Sequence, residues 1–70
     1  MAEVKVYYDR GGNTLTVWFG NPKDEDTCEE TGDEVVLMKD KSGRVIGFEK
    51  LNFLSTAPQP MRVAFEAAEV

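Results

Sequence analysis

Hydrophobic and polar residues alternate along several short stretches of the chain, and alternation with a period of two is typical of half-buried β-strands. Residues 4–8 (VKVYY) and 14–19 (TLTVWF) each place their apolar residues on one face. Residues 34–40 and 44–51 are rich in the same β-branched types. The pattern predicts an all-β or β-dominated α+β fold, in which two hairpins join as an antiparallel meander.

The first hairpin turns at DRGGNTL (residues 9–15), where Asp and Gly are typical turn residues. A four-residue loop, residues 10–13, pairs Tyr8 with Leu15 and Val6 with Val17, which keeps the apolar residues together. Asn13 tolerates the left-handed conformation that such a loop needs near its end. A shift of one residue would mix the two faces, so burial favours this register.

The second hairpin turns at the similar sequence DKSGRVI (residues 40–46). A three-residue loop, residues 41–43, pairs Asp40 with Arg44. The same register places Met38 opposite Ile46 and Val36 opposite Phe48. Gly47 lies inside this predicted strand, where glycine usually marks a bulge or a close approach of the backbone.

The C-terminal part has a less regular pattern. Residues 53–60 contain two prolines and are predicted to connect the hairpins to a last segment. In that segment Met61, Val63 and Phe65 alternate as in a strand, whereas Met61, Phe65 and Ala68 also share a helical face. We expect a fifth strand near 61–67, with a short helix as the alternative. The whole chain, residues 1–70, is predicted to form one domain.

Composition limits the classes of function. The net charge is −5, and residues 21–34 hold seven acids and one lysine, which leaves +1 for the rest. No basic patch of the kind that binds nucleic acid is visible. The longest apolar run is four residues, far below what a membrane helix needs, so we expect a soluble protein without a membrane partner. A single cysteine favours a cytoplasmic location.

Few residues offer chemistry. The chain has no histidine, and its only cysteine, Cys28, lies among acids that disfavour the thiolate. We therefore predict no catalytic residues, no cofactor and no enzyme. The acidic segment 24–34 fails as an EF-hand, because Glu29 stands at the position of the glycine and Val35 at that of the bidentate acid. Weak binding of a divalent cation by this segment remains an alternative to a solvated connection.

An apolar outer face is the predicted interaction surface. In the predicted registers Tyr7 and Trp18 lie opposite the core, and the corresponding face of the second hairpin carries Val35, Leu37 and Val45. Exposed apolar patches usually mark contacts, and Trp and Tyr are frequent anchors. We predict an interface with a second copy of the chain, as in a homodimer, or with another protein. The alternative is that residues 53–70 fold over this face.

Three sequence segments resemble a family of small prokaryotic proteins, the domain of unknown function family 2283. They are YD-x₄-TL-x-V from Tyr8, GDEVVL from Gly32 and D-x-x-GRVIGFEKL from Asp40, and they extend over residues 4–54. The resemblance implies a compact β-meander without agreed catalytic residues. It also implies an alternative role as an antitoxin-like partner of a small basic toxin. The chain departs from the family pattern at Gly11-Gly12 and beyond Leu54.

Overall fold

The structure is a computed structural model and describes residues 3–55 and 61–68. The described residues form five strands and one short 3₁₀ helix, and they contain no α-helix. The all-β class is therefore confirmed, and four strands lie within one residue of their predicted bounds. The elements are β1 (Lys5–Asp9), β2 (Thr14–Trp18), the 3₁₀ helix (Pro22–Asp24), β3 (Thr27–Glu30), β4 (Val35–Lys39) and β5 (Val45–Lys50).

The strands form one open antiparallel sheet in the order β1-β2-β5-β4-β3. The predicted meander, which would place β2 beside β4, is therefore wrong in its strand order. The connection between β2 and β3, residues 19–26, is long enough to reach the far edge of the sheet. β5 can then pair with β2, which brings Phe48 opposite Val17.

The first hairpin has the predicted register. Tyr8 lies opposite Leu15 and Val6 opposite Val17, around a four-residue turn. Asn13 adopts the left-handed conformation, with a φ of 51°. The pairing of apolar residues on one face was therefore sufficient to identify the register of this hairpin.

The second hairpin differs from the prediction beyond its turn. The three-residue loop is confirmed, because the Asp40 amide donates to the Arg44 carbonyl at 3.0 Å. A bulge then shifts the register, so that Met38 lies opposite Gly47 and not opposite Ile46. Ile46 is the extra residue, and its carbonyl accepts hydrogen bonds from the two successive amides of residues 19 and 20. The prediction of Val36 opposite Phe48 is wrong for the same reason.

The fifth strand is not where alternation placed it. Residues 61–68 form neither a strand nor a helix, and the prediction of either near 61–67 is wrong. The fifth strand is β3, which lies inside the acidic segment and pairs with β4 across a short turn. A short turn makes such a neighbour easy to reach, because little chain entropy is lost in closing it. Of the predicted connection 53–60, residues 56–60 lie outside the described part.

Candidate interaction surface

The register of the sheet divides its residues between two faces, because residues opposite each other in an antiparallel pair lie on the same side. We name them the valine face and the tryptophan face. The valine face contains seven apolar or aromatic residues, Val6, Tyr8, Leu15, Val17, Val35, Leu37 and Phe48, and the charged residues Glu29, Lys39 and Lys50. The tryptophan face contains Tyr7, Thr16, Trp18, Val36, Met38, Gly47 and Glu49.

The tryptophan face is partly covered by its own side chains. Trp18 lies opposite Gly47, and its ring approaches that residue so closely that a Cβ at 47 would lie 2.8 Å from Cε3. On the other side of Gly47 lies Met38, which is only 4% exposed. The bulge residue Ile46, which is 6% exposed, contacts the backbone of Gly20. The best-buried apolar side chains of the described residues are therefore here.

The valine face is less well covered. None of its side chains falls into the buried class, and Val6 is 42% exposed. Residues 61–64 lie near one end of this face. Together with Val6, Leu15, Val17 and Phe53 they line an open groove of ≈330 Å³. An apolar sheet face normally packs against a second layer, and the described residues supply only this partial cover.

The size of the molecule agrees with an incomplete core. The chain exposes 5752 Å², whereas a compact monomer of its mass would expose about 4,400 Å². The radius of gyration is 13.4 Å, compared with about 11 Å for a typical domain of this length. The single-layer sheet contributes to both differences, because no second layer of described residues covers it, and the unpaired residues 61–68 contribute as well.

The five residues predicted as one interface are divided between the two faces. Val35 and Leu37 belong to the valine face, and Val45, which pairs with Lys39, follows them on that side. Tyr7 and Trp18 belong to the tryptophan face. The bulge is the physical reason, because it changes the side on which β5 presents its residues to β2.

Asn13 joins the first turn to the segment after β5, a role that the sequence pattern did not indicate. Its Oδ1 accepts hydrogen bonds from the Tyr8 hydroxyl at 2.6 Å and from the Leu54 amide at 3.0 Å. Its Nδ2 donates to the Leu54 carbonyl at 2.8 Å. The Tyr8 ring also packs edge-on against Phe53, with ring centroids 6.3 Å apart. These contacts hold residues 53–54 beside the valine face.

The secondary structure of the acidic segment 24–34 keeps its carboxylates apart. The strand β3 turns Glu29 and Glu30 to opposite sides, and Glu29 pairs with Lys39. Within the described part of the chain, no group of three or more His, Cys, Asp or Glu side chains is arranged to hold a metal ion. A carboxylate cage, which calcium prefers, is thus not assembled by these residues.

Cys28 and Asp40 have shifted pKa values, and both take part in local hydrogen bonds. A hydrogen bond to Glu25, and the charges of Glu25 and Glu49, raise the pKa of the exposed Cys28 thiol. The Ser42 hydroxyl donates to Asp40 within the second turn at 2.7 Å. That bond, with the Arg44 and Ser42 amides and the Arg44 charge, lowers the pKa of Asp40. Cys28 is therefore a poor nucleophile, and Asp40 orders a turn.

The all-β sheet and the three sequence segments described above define the class to which this protein belongs. A family model described as "Protein of unknown function (DUF2283)" matches residues 5–53, and the chain belongs to this family. No curated protein and no solved structure shows a significant match to the chain. Neither the family description nor the chemistry of the described residues points to catalysis. Among the residues that the structure describes, no helix has the length and hydrophobicity needed to cross a bilayer.

Proposed function

We propose that this domain is a non-catalytic protein-interaction module, whose valine face is covered by another protein chain. The observation that carries the proposal is the unequal burial of the two faces. Met38 and Ile46 are buried and lie on the tryptophan face or at the bulge, although Tyr7 at the edge of that face is 66% exposed. On the valine face no apolar side chain is buried, and Val6 is 42% exposed. An apolar face of this kind is normally buried in a second layer.

The centre of the proposed contact lies on β4 and β5. Leu37 lies opposite Phe48, and Phe48 lies opposite Val17, so three large apolar residues form a row across the middle of the sheet. Central, well-packed apolar residues contribute most to the affinity of typical interfaces. Removing such a row from water favours association by roughly 25 cal/mol for each Å² of apolar area buried, before the entropy cost of association is subtracted.

The charge of the chain favours a basic partner. The net charge is −5, and the exposed β3 contributes Glu29 and Glu30 at one edge of the sheet. Glu29 lies opposite Leu37 on the valine face and is paired with Lys39, so the overall negative charge, and not this face alone, favours a basic partner. A net negative charge increases the association rate with a basic protein. The antitoxin-like role that the family resemblance implies is a more specific version of this proposal.

The test is native co-purification of the tagged protein from its host, compared with two matched variants. Leu37→Lys places a charge in the centre of the valine face. Val36→Lys, its neighbour on the opposite face, places the same charge between Glu30 and Glu49, where it is compensated. We expect one stoichiometric partner that Leu37→Lys loses and Val36→Lys retains, with both variants showing the circular dichroism of the unchanged chain.

Equal recovery by the two folded variants would overturn the proposal, as would the absence of any stoichiometric partner. If Leu37→Lys does not fold, the test uses amide hydrogen exchange of the unmodified protein, measured alone and in the complex. The complex should then slow the exchange of amides around Leu37 and Phe48, and unchanged exchange there would overturn the proposal. High salt should weaken the complex, since attraction between the negative charge of the chain and a basic partner contributes to it.

A further inference from the structure

The two edges of the sheet differ in how well they are protected against pairing with another strand. β3 has only four residues, two of which are glutamates, and short, charged edge strands resist pairing. β1 has five residues, KVYYD, and no described strand pairs with its outer side. Val6 and Tyr7 on this strand are 42% and 66% exposed. The three central residues of β1 are apolar or aromatic, and its two charged residues, Lys5 and Asp9, lie at its ends. An open edge is a template for another strand.

The sequence of β1 is complementary to itself. When two copies run antiparallel about a two-fold axis at Tyr7, Lys5 of each copy lies opposite Asp9 of the other. Val6 then lies opposite the partner's Tyr8, and the two Tyr7 residues meet at the axis. Opposite charges and aromatic residues facing β-branched ones are both favourable cross-strand pairs. All five residues of the strand therefore find a suitable partner.

Other registers are less favourable. A two-fold axis perpendicular to the sheet places the valine faces of the two copies on the same side. The axis must then pass through a residue, and moving it to the next residue shifts the pairing by two residues. A centre at Val6 would place Lys5 opposite Tyr7 and lose the charge pair. A centre at Tyr8 would place Val6 opposite Arg10 and Asp9 opposite Tyr7. Only the centre at Tyr7 satisfies both charges.

We propose that β1 pairs with β1 of a second copy of this chain about Tyr7, so that two sheets join into one of ten strands. This contact uses the edge of the sheet and does not depend on what covers the valine face. It is isologous, the arrangement that closes a dimer with one interface. A ladder of five residues is small compared with stable interfaces, so the dimer depends on protein concentration.

The C-terminal segment 61–67 could compete for the same edge. In an antiparallel register Glu66 would lie opposite Lys5, and Arg62 opposite Asp9. Phe65 would then face Val6, and Val63 would face Tyr8. The structure instead leaves residues 61–68 without strand pairing, beside the valine face. No described strand thus occupies the outer side of β1, which remains open to the second copy.

The first test reverses the charges in separate molecules. Lys5→Glu alone places a glutamate opposite Asp9 twice in the dimer, and Asp9→Lys alone places two lysines opposite each other twice. Each variant should dimerise about tenfold more weakly than the unchanged chain. An equimolar mixture should dimerise as well as the unchanged chain, because the mixed dimer restores both charge pairs. Sedimentation equilibrium measures each case, and circular dichroism checks that both variants fold.

The second test does not alter the turn that Asp9 helps to form. In a Cys28→Ser background, Tyr7→Cys places two cysteines opposite each other, with Cα atoms about 5 Å apart, which suits a disulfide. Lys5→Cys is the control on the same strand, since its two copies would lie about 14 Å apart. Mild oxidation should link Tyr7→Cys into dimers and leave Lys5→Cys monomeric.

The charge-reversal and cross-linking results together decide whether β1 pairs with β1 of a second copy. If the mixture of reversed variants stays monomeric and the two cysteine variants cross-link equally slowly, the proposal is overturned. Pairing of β1 with segment 61–67 of its own chain would give this result, because the outer edge of β1 would then be occupied within each monomer. Cross-linking of Tyr7→Cys should persist when Leu37→Lys is added. Its loss would show that the association uses the valine face and would also overturn the proposal.

Discussion

The Trp18 ring lies against the backbone of Gly47, and this contact links β2 to β5 on the tryptophan face. A Cβ at position 47 would lie 2.7 Å from the Val17 carbonyl oxygen and 2.8 Å from Cε3 of Trp18. Glycine is therefore required because of the close approach of another strand, although it costs conformational entropy inside a strand. Met38 lies opposite Gly47 on its other side and is 4% exposed.

Gly47→Ala is expected to destabilise the protein by about 1–3 kcal/mol, the usual cost of forcing an extra carbon into a packed site. The carbonyl oxygen belongs to the backbone and cannot move without disturbing β2. Gly11→Ala is the control, because a Cβ there would meet its nearest atom, Asp9 Oδ1, at an ordinary 3.5 Å. Urea unfolding measures both, and equal effects would contradict the proposed packing.

Asn13→Gly should destabilise the protein by about 2–3 kcal/mol. The variant keeps the left-handed backbone but loses three side-chain hydrogen bonds, each worth about 1 kcal/mol. Asn52→Gly is a matched control, because Asn52 has the same φ of 51° and one exposed side-chain bond, to Glu34. The control should change the unfolding free energy by less than about 1 kcal/mol. Comparable losses would mean that the Asn13 side chain does not hold residues 53–54.

The pH dependence of stability should include a contribution from Asp40. Its pKa is lowered in the folded state, chiefly by the Ser42 hydroxyl and then by the Arg44 amide. The unfolded chain therefore binds the proton more readily, so the contribution is complete above the unfolded pKa and is lost as pH falls through the folded one. The stability difference between the unchanged chain and Asp40→Asn should shrink in acid.

Asp33→Asn, in the turn before β4, is the control for removing one exposed carboxylate. NMR titration of the side-chain carboxyl carbons gives a direct check on Asp40. A midpoint at or above the ordinary aspartate value would contradict the hydrogen bonding of this turn. A difference between the unchanged chain and Asp40→Asn that does not change with pH would contradict it as well.

Cys28 should react slowly with alkylating reagents for a thiol that is exposed. Its pKa is raised, first by the hydrogen bond to Glu25 and also by the charges of Glu25 and Glu49. Glu25→Ala should bring the pKa back towards its ordinary value and accelerate alkylation at neutral pH, since the thiolate is the reactive form. Glu30→Ala removes a nearby acid that does not bond the thiol, and it should change the rate less. If both variants react at the same rate as the unchanged chain, Glu25 does not control this thiol.

The sequence predicted those parts of the fold that depend on neighbouring residues. Alternation placed four strands to within one residue, and matching apolar residues identified the four-residue turn that pairs Tyr8 with Leu15. Asp and Gly indicated the three-residue turn after β4, and Gly47 indicated a bulge or close approach. These features are local, because turn geometry and the period of a strand depend on residues that are close along the chain.

Other features depended on contacts between distant segments. Alternation alone did not show that β2 pairs with β5, or that the acidic β3 takes the edge while residues 61–68 stay unpaired. The predicted interface was divided because a single extra residue, Ile46, reverses the side on which the rest of β5 points. The sequence by itself therefore determined the strands and their turns. Only the tertiary structure decided which residues share a face, because that depends on the register and order of strands far apart in the chain.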